Sequence, residues 1–402
     1  MLKDKILVFI SICLLISCAR ESNTSGVTLH PVPKKMPYSN IEAEMLQVQD
    51  GGGSIDKFPE SVQLLYTILN DESDGLHHSE TILLASGVND TLLTTGDIDV
   101  SSVNDSSLLI LDKRTNRLIQ YDVKENKYHD IANQGRGPGD LDFSRELSVF
   151  DNKAFIGMGV FQISMFTCHN ELCEYAKTIN TDFNNYSLAP GDGHIKFLGI
   201  SRFGGEDDPD PSNTDQNLIH KINYDGEVQQ SFFPIYRDRS PLIREAMNSR
   251  GRVRLFPELN VIVVAFAVFP YLYVHDAEGK LTDIYELPDF IQKYYESEKR
   301  AGGYSSRSIY ASNSTISHSS QLNERWLLLR LREVRDLEFH GMEEGFTGTQ
   351  WFSYYSFDVA EKTLYKIGDD TIKPVGESQR VLHVVDQGVV INENGLLYLL
   401  LN

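Results

Sequence analysis

Short runs of branched and aromatic residues, interrupted by glycine, proline, asparagine and aspartate, make up most of the chain after about residue 100. The clearest runs are residues 108–111, 117–121, 261–264, 326–329 and 381–385. Runs of this composition, bounded by turn-forming residues, are typical of β-strands. The pattern therefore predicts a fold built mainly from short strands.

Helical spacing of apolar residues is confined to two segments. In residues 240–251, Ser240 is a suitable N-cap, Pro241 suits the first turn and Gly251 follows the last turn. Residues 288–303 show a similar pattern and also end in glycine. We predict both segments as short helices inserted between groups of strands.

A weak repeat marks the ends of several predicted strands, where an aromatic residue or histidine is followed directly by aspartate. It occurs at Tyr121-Asp122, Tyr224-Asp225, His275-Asp276 and Phe357-Asp358, and a fifth copy has Phe166-Thr167. The intervals between positions 122, 167, 225, 276 and 358 are 45, 58, 51 and 82 residues. An aspartate that accepts hydrogen bonds from the following backbone favours a hairpin turn. The intervals suit four-stranded propeller blades with insertions.

The two ends of the strand-rich region each lack partners. Residues 379–402 supply only about two strands, whereas residues 62–69 and 81–93 supply unpaired strands at the other end. A ring in which both ends complete one blade uses all of them. We therefore predict an all-β, six-bladed β-propeller over residues 58–402, with four-stranded antiparallel blades, a ring closed by N- and C-terminal strands, and short inserted helices. Two tandem β-sandwiches fit the strand content but explain neither the repeat nor the C-terminal hairpin.

The beginning of the chain resembles the signal of a bacterial lipoprotein. Two lysines precede an apolar run over residues 6–16, and the small residue Ser17 stands before Cys18, as in a lipobox. The resemblance implies a signal peptide over residues 1–17 and lipidation of Cys18. The alternative is a short membrane anchor with an incidental cysteine.

The segment after this signal has the composition of a linker. Residues 19–40 are rich in serine, asparagine, threonine and proline, and residues 51–54 read Gly-Gly-Gly-Ser. We predict a flexible tether over residues 18–57. Because Ala19 is not acidic, familiar Gram-negative sorting favours the outer membrane, facing either the periplasm or the cell surface.

The charge of the chain limits its partners. A formal net charge of -20 and a pI near 4.9 argue against binding nucleic acid or an anionic bilayer through general charge, so we expect membrane contact through the N-terminal lipid alone.

One segment is locally basic and contains Arg237, Arg239, Arg244, Arg250, Arg252 and Arg254. Arginine forks bind carboxylates and phosphates, which makes this segment a candidate anionic-ligand patch. The alternative is that these arginines pair with acidic residues on adjacent blades.

Two cysteines, Cys168 and Cys173, flank a four-residue connection. In an oxidising compartment they could pair across a hairpin. A metal pair with His169 is disfavoured because no second Cys or His pair occurs at suitable spacing. A disulfide and two free thiols remain as the alternatives.

A glycine-rich run over residues 133–141, Asn-Gln-Gly-Arg-Gly-Pro-Gly-Asp-Leu, raises the question of a phosphate site. Pro138 has no N–H to donate, and Asp140 and Asp142 would repel an anion. We predict instead a tight crossing from the outer strand of one blade, residues 127–131, into the next blade, with glycines at positive φ.

The lipobox, the run Gly135-Arg-Gly-Pro-Gly-Asp140 and the segment 255–281 together resemble the TolB-like six-bladed β-propeller lipoproteins of Gram-negative bacteria. The resemblance covers roughly residue 60 to the C-terminus and implies the propeller fold. It implies no catalytic set, because members of this family offer none to transfer.

The sequence contains no nucleophile elbow, zinc-binding helix, Walker loop or EF-hand loop. We therefore expect a lipid-anchored, monomeric propeller that binds an envelope protein or a glycan without catalysis and without a cofactor or metal. Tyr304 and Tyr310, in a serine- and tyrosine-rich loop, are candidate stacking contacts for such a ligand. The alternative function is a propeller hydrolase or lyase acting on envelope or extracellular glycans.

Overall fold

In the computed structural model of the protein, the described residues are 27–31, 38, 41–70, 81–83, 97–159, 161–169, 172–201, 217–236, 248, 250–288, 293–301, 304–312, 314–339, 346–374, 381–393 and 396–401. They form six sheets of four or five strands, arranged as the six blades of a β-propeller, and one additional three-stranded sheet. The predicted fold class is thereby confirmed.

The first three blades each consist of four consecutive antiparallel strands. Blade 1 contains Ile98–Asn104, Ser107–Asp112, Arg117–Asp122 and Lys127–Ala132. Blade 2 contains Ser144–Phe150, Lys153–Met158, Gln162–Cys168 and Cys173–Asn180. Blade 3 contains Phe183–Gly191, His194–Ser201, Asn217–Asn223 and Val228–Pro234.

The last three blades also recruit strands from the N-terminal part of the chain. Blade 4 contains Gly251–Phe256, Val261–Phe266, Tyr271–Asp276 and Leu281–Glu286, with Glu44–Met45 at its outer edge. Blade 5 contains Ser314–Gln321, Trp326–Phe339, Phe346–Asp358 and Thr363–Pro374, with Val48–Asp50 at its outer edge. Blade 6 contains Val381–Val385, Gly388–Glu393, Leu396–Leu401 and Thr81–Leu83.

The first strand of each blade faces the axis of the ring. First strands contact one another in the order of blades 6, 1, 2, 3, 4 and 5. Outside them, apolar side chains of neighbouring blades form shared cores; Leu109 and Leu111 of blade 1, for example, belong to one cluster with Ile156 and Phe166 of blade 2. Burial of these branched and aromatic side chains between the sheets stabilises the ring.

The ring closes as predicted, because strands from both ends of the chain complete one blade. Thr81–Leu83 pairs antiparallel with Leu396–Leu401, the last strand of blade 6. The backbone groups of the C-terminal strand therefore gain ladder partners that its own hairpin does not supply.

The predicted strand over residues 62–69 is wrong, since these residues lie in the α-helix Glu60–Asn70. The helix buries Val62, Leu65 and Ile68, which are spaced three residues apart and so lie on one helical face. That face packs between blades 5 and 6, in a cluster that includes Trp326 and Leu382. The local composition of this apolar run suits either a strand or a helix. The helix forms because its apolar face packs between two blades.

The N-terminal segment differs from the predicted flexible tether over residues 44–57. Glu44–Met45 and Val48–Asp50 add parallel strands to the outer edges of blades 4 and 5, and Gly52–Lys57 forms a 3-10 helix. Leu46 is only 5% exposed and packs into the cluster shared by blades 4 and 5. Backbone pairing with the outer strands of blades 4 and 5, together with burial of Leu46, therefore fixes a segment whose composition is typical of a linker.

The helix predicted over residues 288–303 is also wrong. Lys293–Ala301 is a strand that pairs with Tyr304–Ser312 on one side and with Val27–Pro31 on the other. Pairing on both edges satisfies the backbone of a segment that carries adjacent tyrosines, which favour strands. The other predicted helix, over residues 240–251, falls almost entirely outside the described residues. Of its few described residues, Asn248 is helical and buried.

The aromatic-aspartate repeat marks the hairpin that follows the third strand of each of the first five blades. The side chains of Asp122, Asp276 and Asp358 accept hydrogen bonds from backbone N–H groups two to four residues later, at distances of 2.8–3.0 Å. In blade 3 the same role falls to Asn223, whose Oδ1 accepts from the backbone N–H groups of residues 225 and 227. The proposed turn mechanism is therefore confirmed for blades 1, 4 and 5, whereas in blade 3 Asn223 acts in place of Asp225.

The glycine-rich run connects blades 1 and 2, as predicted. It follows Lys127–Ala132 and precedes Ser144–Phe150. Asp140 closes the bend, because its Oδ2 accepts a hydrogen bond of 2.7 Å from the backbone N–H of Gly137. Among its three glycines only Gly139 has a positive φ, of 87°.

Candidate functional site

A polar pocket lies along the axis of the ring and has a volume of about 370 Å³. The axial pocket, as we call it, is lined by residues 61, 99–102, 146–150, 188–190, 252, 254, 255, 257, 318, 320–324 and 384–386. Every blade contributes, chiefly through its first strand. The volume is near the lower end of the range for small-molecule sites, roughly 300–1,000 Å³.

One wall of the axial pocket is an ion pair between blades 2 and 4. Oε1 of Glu146, whose side chain is 5% exposed, accepts a hydrogen bond of 2.9 Å from Nη2 of Arg254. Oε2 of Glu146 accepts a second one, of 2.5 Å, from the backbone N–H of Leu188 in blade 3. Both carboxylate oxygens are therefore engaged inside the protein.

Arg254 joins three further acceptors. It donates to the carbonyl oxygens of Val253 and Ser319 at 2.8 and 2.7 Å, and to Oγ of Ser187 at 3.3 Å. With Glu146, these contacts tie blades 2, 3, 4 and 5 together at the axis. Arg254 therefore pairs with an acidic residue of another blade, although blades 2 and 4 are not adjacent in the ring.

A second carboxylate, that of Asp99 in blade 1, is also held in place. Its Oδ1 lies 3.2 Å from Nζ of Lys113, and its Oδ2 accepts a hydrogen bond of 3.1 Å from the backbone N–H of Leu147. Burial acts to raise the pKa of Asp99, but the nearby charges of Lys113 and Arg252 outweigh it and lower the pKa below its usual value. Asp99 is therefore ionised at neutral pH.

Arg252 lies two residues before Arg254 on the same strand but has different surroundings. Its side chain is 33% exposed, and its Nε lies 3.9 Å from Oε1 of Glu146, beyond hydrogen-bond distance. Nη1 donates to the carbonyl oxygen of Gly251 at 3.1 Å. Among the described residues, no carboxylate lies within hydrogen-bond distance of this guanidinium.

Two histidines meet on the side of blades 5 and 6. The rings of His318 and His383 are 5.4 Å apart and nearly perpendicular, and Nε2 of His318 lies 2.5 Å from Oγ of Ser320. Burial lowers the pKa of His383 to about 4 and places that of His318 well below its ordinary value. Both rings are therefore neutral at neutral pH.

The axial pocket brings together only part of the predicted anionic-ligand patch. Arg252 and Arg254 line it, and Arg250 is exposed and does not line it. Arg237, Arg239 and Arg244 lie outside the described residues, as does the lipidation site Cys18. Tyr304 and Tyr310 fall in the strand Tyr304–Ser312, of which the structure describes the backbone alone.

The two predicted disulfide partners are bonded to each other across the hairpin between the last two strands of blade 2. Both are buried and pack in the cluster between blades 1 and 2. The backbone N–H of Cys173 also donates to Oε1 of Gln120 in blade 1, at 2.7 Å.

Sequence analysis did not identify Asp99, Glu146 or His318. All three lie on first strands, and the first two occupy the second and third positions of theirs. An alignment of the first strands would have shown a charged residue near the start of the strand in blades 1, 2 and 4, namely Asp99, Glu146 and Arg252. Among the described residues, no group of three or more His, Cys, Asp or Glu side chains is arranged to hold a metal ion.

No protein-family model matches the chain, and neither does any curated protein. The chain is similar to the solved structure of a protein from Bacteroides fragilis that is predicted to be exported, with 11% identity, a TM-score of 0.47 and coverage of 80% of this chain and 85% of that one. It is also similar to a member of the DUF4221 family from Bacteroides vulgatus, with 12% identity, a TM-score of 0.49 and coverage of 81% and 98%. A streptogramin B lyase matches with 11% identity, a TM-score of 0.42 and coverage of 80% and 98%. These values describe general shape and carry no conclusion about activity.

Proposed function

We propose that the protein is an outer-membrane lipoprotein whose propeller binds a ligand or protein partner at the axial pocket without converting it. The lipobox ending at Cys18 supports export and lipid anchoring, with the propeller on the periplasmic or surface side. In the part of the chain that the structure describes, no helix is both long and apolar enough to cross a membrane.

The observation that carries this proposal is the state of the two carboxylates that the first strands of blades 1 and 2 place in the axial pocket, those of Asp99 and Glu146. A general acid needs a proton near neutral pH, but Lys113 and Arg252 lower the pKa of Asp99. A general base or nucleophile needs a free oxygen, but both oxygens of Glu146 accept hydrogen bonds from Arg254 and Leu188. Asp99 and Glu146 therefore fix the shape and charge of the pocket rather than supply a reactive pair.

A second candidate function, glycan hydrolysis or elimination, is favoured by one contact. The imidazole of His318 lies 2.5 Å from the hydroxyl of Ser320, as a base and a nucleophile would. Burial opposes this role, because a ring whose pKa lies well below the ordinary value is a weak base. Product formation from a glycan distinguishes the two functions.

The test uses the lipid-anchored full chain in detergent, a panel of envelope and capsular oligosaccharides, and two readouts. Calorimetry measures binding, and chromatography of the same mixtures detects cleavage. We expect binding with full recovery of intact oligosaccharide. Ser148→Trp, which fills the axial pocket, abolishes binding, whereas Val228→Trp on the outer strand of blade 3 leaves it unchanged.

Two outcomes contradict the proposal. Cleavage that disappears in His318→Ala supports the second candidate function. Binding that survives Ser148→Trp in a variant with a normal circular dichroism spectrum places the ligand elsewhere on the propeller.

A further inference from the structure

We infer that Arg252 is the recognition residue of the axial pocket and that it binds a single carboxylate, such as that of an acidic sugar. This inference rests on the proposed function and names the ligand class of that site. It follows from the unequal surroundings of Arg252 and Arg254.

The two arginines differ in how many of their donors are used. Arg254 donates to four acceptors, among them Glu146 and Ser319. Arg252 has one hydrogen-bond acceptor among the described residues, the carbonyl oxygen of Gly251. A guanidinium has five N–H groups, so most of the planar fork of Arg252 remains available to a ligand.

The charge of Arg252 is also incompletely balanced. Its nearest carboxylate, Glu146, lies 3.9 Å away and already binds Arg254 and the backbone N–H of Leu188. Asp99 is engaged by Lys113. Arg252 therefore shares its counter-ion, Glu146, with Arg254. Because solvent is restricted in the pocket, Arg252 favours an anionic ligand group that can accept two parallel hydrogen bonds from its guanidinium.

The same surroundings select among anions. The carboxyl groups of Asp99 and Glu146 are neighbours of the site, and Glu324 and Asp386 also line the pocket. A phosphate carries nearly two negative charges, so these acidic residues repel it about twice as strongly as they repel a carboxylate. One carboxylate matches one arginine, while the serines of the lining offer partners for hydroxyl groups.

The test compares acidic sugars with their neutral counterparts. The probes are galacturonate with galactose, glucuronate with glucose, N-acetylmuramate with N-acetylglucosamine, and inorganic phosphate. We expect at least one acidic sugar to bind the full chain about tenfold or more tightly than its neutral counterpart in calorimetry. Arg252→Ala abolishes this preference, and Arg252→Lys restores only part of it because an ammonium lacks the planar fork.

Arg250→Ala is the matched control, since Arg250 is exposed next to the same strand and does not line the pocket. It leaves the preference unchanged. The inference is overturned if no acidic sugar binds better than its neutral partner, if phosphate binds as tightly, or if Arg250→Ala acts like Arg252→Ala. Neutral sugars that bind equally to wild type and Arg252→Ala, but not to Ser148→Trp, overturn the inference and leave the proposed function standing.

Discussion

Two kinds of junction hold this ring together. From blade 6 through blade 1 to blade 5, neighbouring blades touch directly through their first strands. Between blades 5 and 6, the helix Glu60–Asn70 contributes its buried face to the core. We call this second junction the helix seam. The N-terminal part of the chain thus closes the ring at two places, at the helix seam and at the outer strand Thr81–Leu83 of blade 6.

The chemistry of the two kinds of junction differs as well. The direct junction of blades 1 and 2 is an apolar cluster that also contains the disulfide. The helix seam combines an apolar cluster around Leu65 with the contact between His318 and His383 near the axis. Apolar packing therefore contributes to both junctions, and the helix seam also contains a pair of buried histidines near the axis.

The largest effect is expected from deleting a core leucine in each kind of junction. Leu65 in the helix and Leu109 in blade 1 are both fully buried, at 0% exposure. If the helix is an integral part of the core, Leu65→Ala lowers the free energy of unfolding by about 3–4 kcal/mol, as Leu109→Ala does. Urea denaturation followed by tryptophan fluorescence measures both, because Trp326 lies in the cluster of the helix seam.

The control for this pair is Thr67→Ala, on the exposed side of the same helix, which we expect to change stability by less than about 0.5 kcal/mol. A loss of under about 1 kcal/mol for Leu65→Ala, together with the full loss for Leu109→Ala, would show that the helix is only an accessory to the ring.

A somewhat smaller effect is expected from pH at the helix seam. The folded protein holds the pKa of His383 at about 4, below the ordinary value of 6.5, chiefly because the ring is buried. Between these two values the unfolded chain binds a proton that the folded protein does not. The stability contributed by the neutral ring is therefore complete above pH 6.5 and is lost as the pH falls towards 4, by up to about 3 kcal/mol.

His383→Gln tests this dependence, with stability measured by denaturation from pH 7 down to the acid range. The charged and titratable groups that act on His383 are His318, Asp99, Asp97, Lys113 and Arg330. We expect a shallower loss of stability on acidification in the variant, although other buried histidines keep part of it. His129→Gln, on an exposed part of blade 1, has no such effect. An unchanged pH profile in His383→Gln would contradict the assignment.

The fold could be predicted because its repeat is local. Asp122, Asp276 and Asp358 each accept a hydrogen bond from a backbone N–H within four residues, so the hairpins of three blades are specified by short stretches of sequence. The helix Glu60–Asn70 could not be predicted in this way. Its run of apolar residues suits a strand or a helix, and the choice is made by a space between blades that are distant in the chain.

The axial pocket shows the same limit. Arg252 and Arg254 stood out because six arginines cluster in a short segment of an acidic chain. Their different roles depend on Glu146, which is 108 residues from Arg254 in sequence. A single carboxylate on an otherwise ordinary strand gives no local signal, so only the packing of the first strands around the axis reveals which arginine is engaged and which is available.

The smallest effect is expected from the disulfide, which strengthens one direct junction. Cys168 and Cys173 are five residues apart, and closing so short a loop removes little entropy from the unfolded chain. Replacing both cysteines by alanine should therefore cost only about 2 kcal/mol. The same loss should follow from adding a reductant to the wild type, and the reductant should not alter the double variant. Equal stability of reduced and oxidised wild type would mean that the disulfide adds nothing to the apolar packing and hydrogen bonds that already join blades 1 and 2.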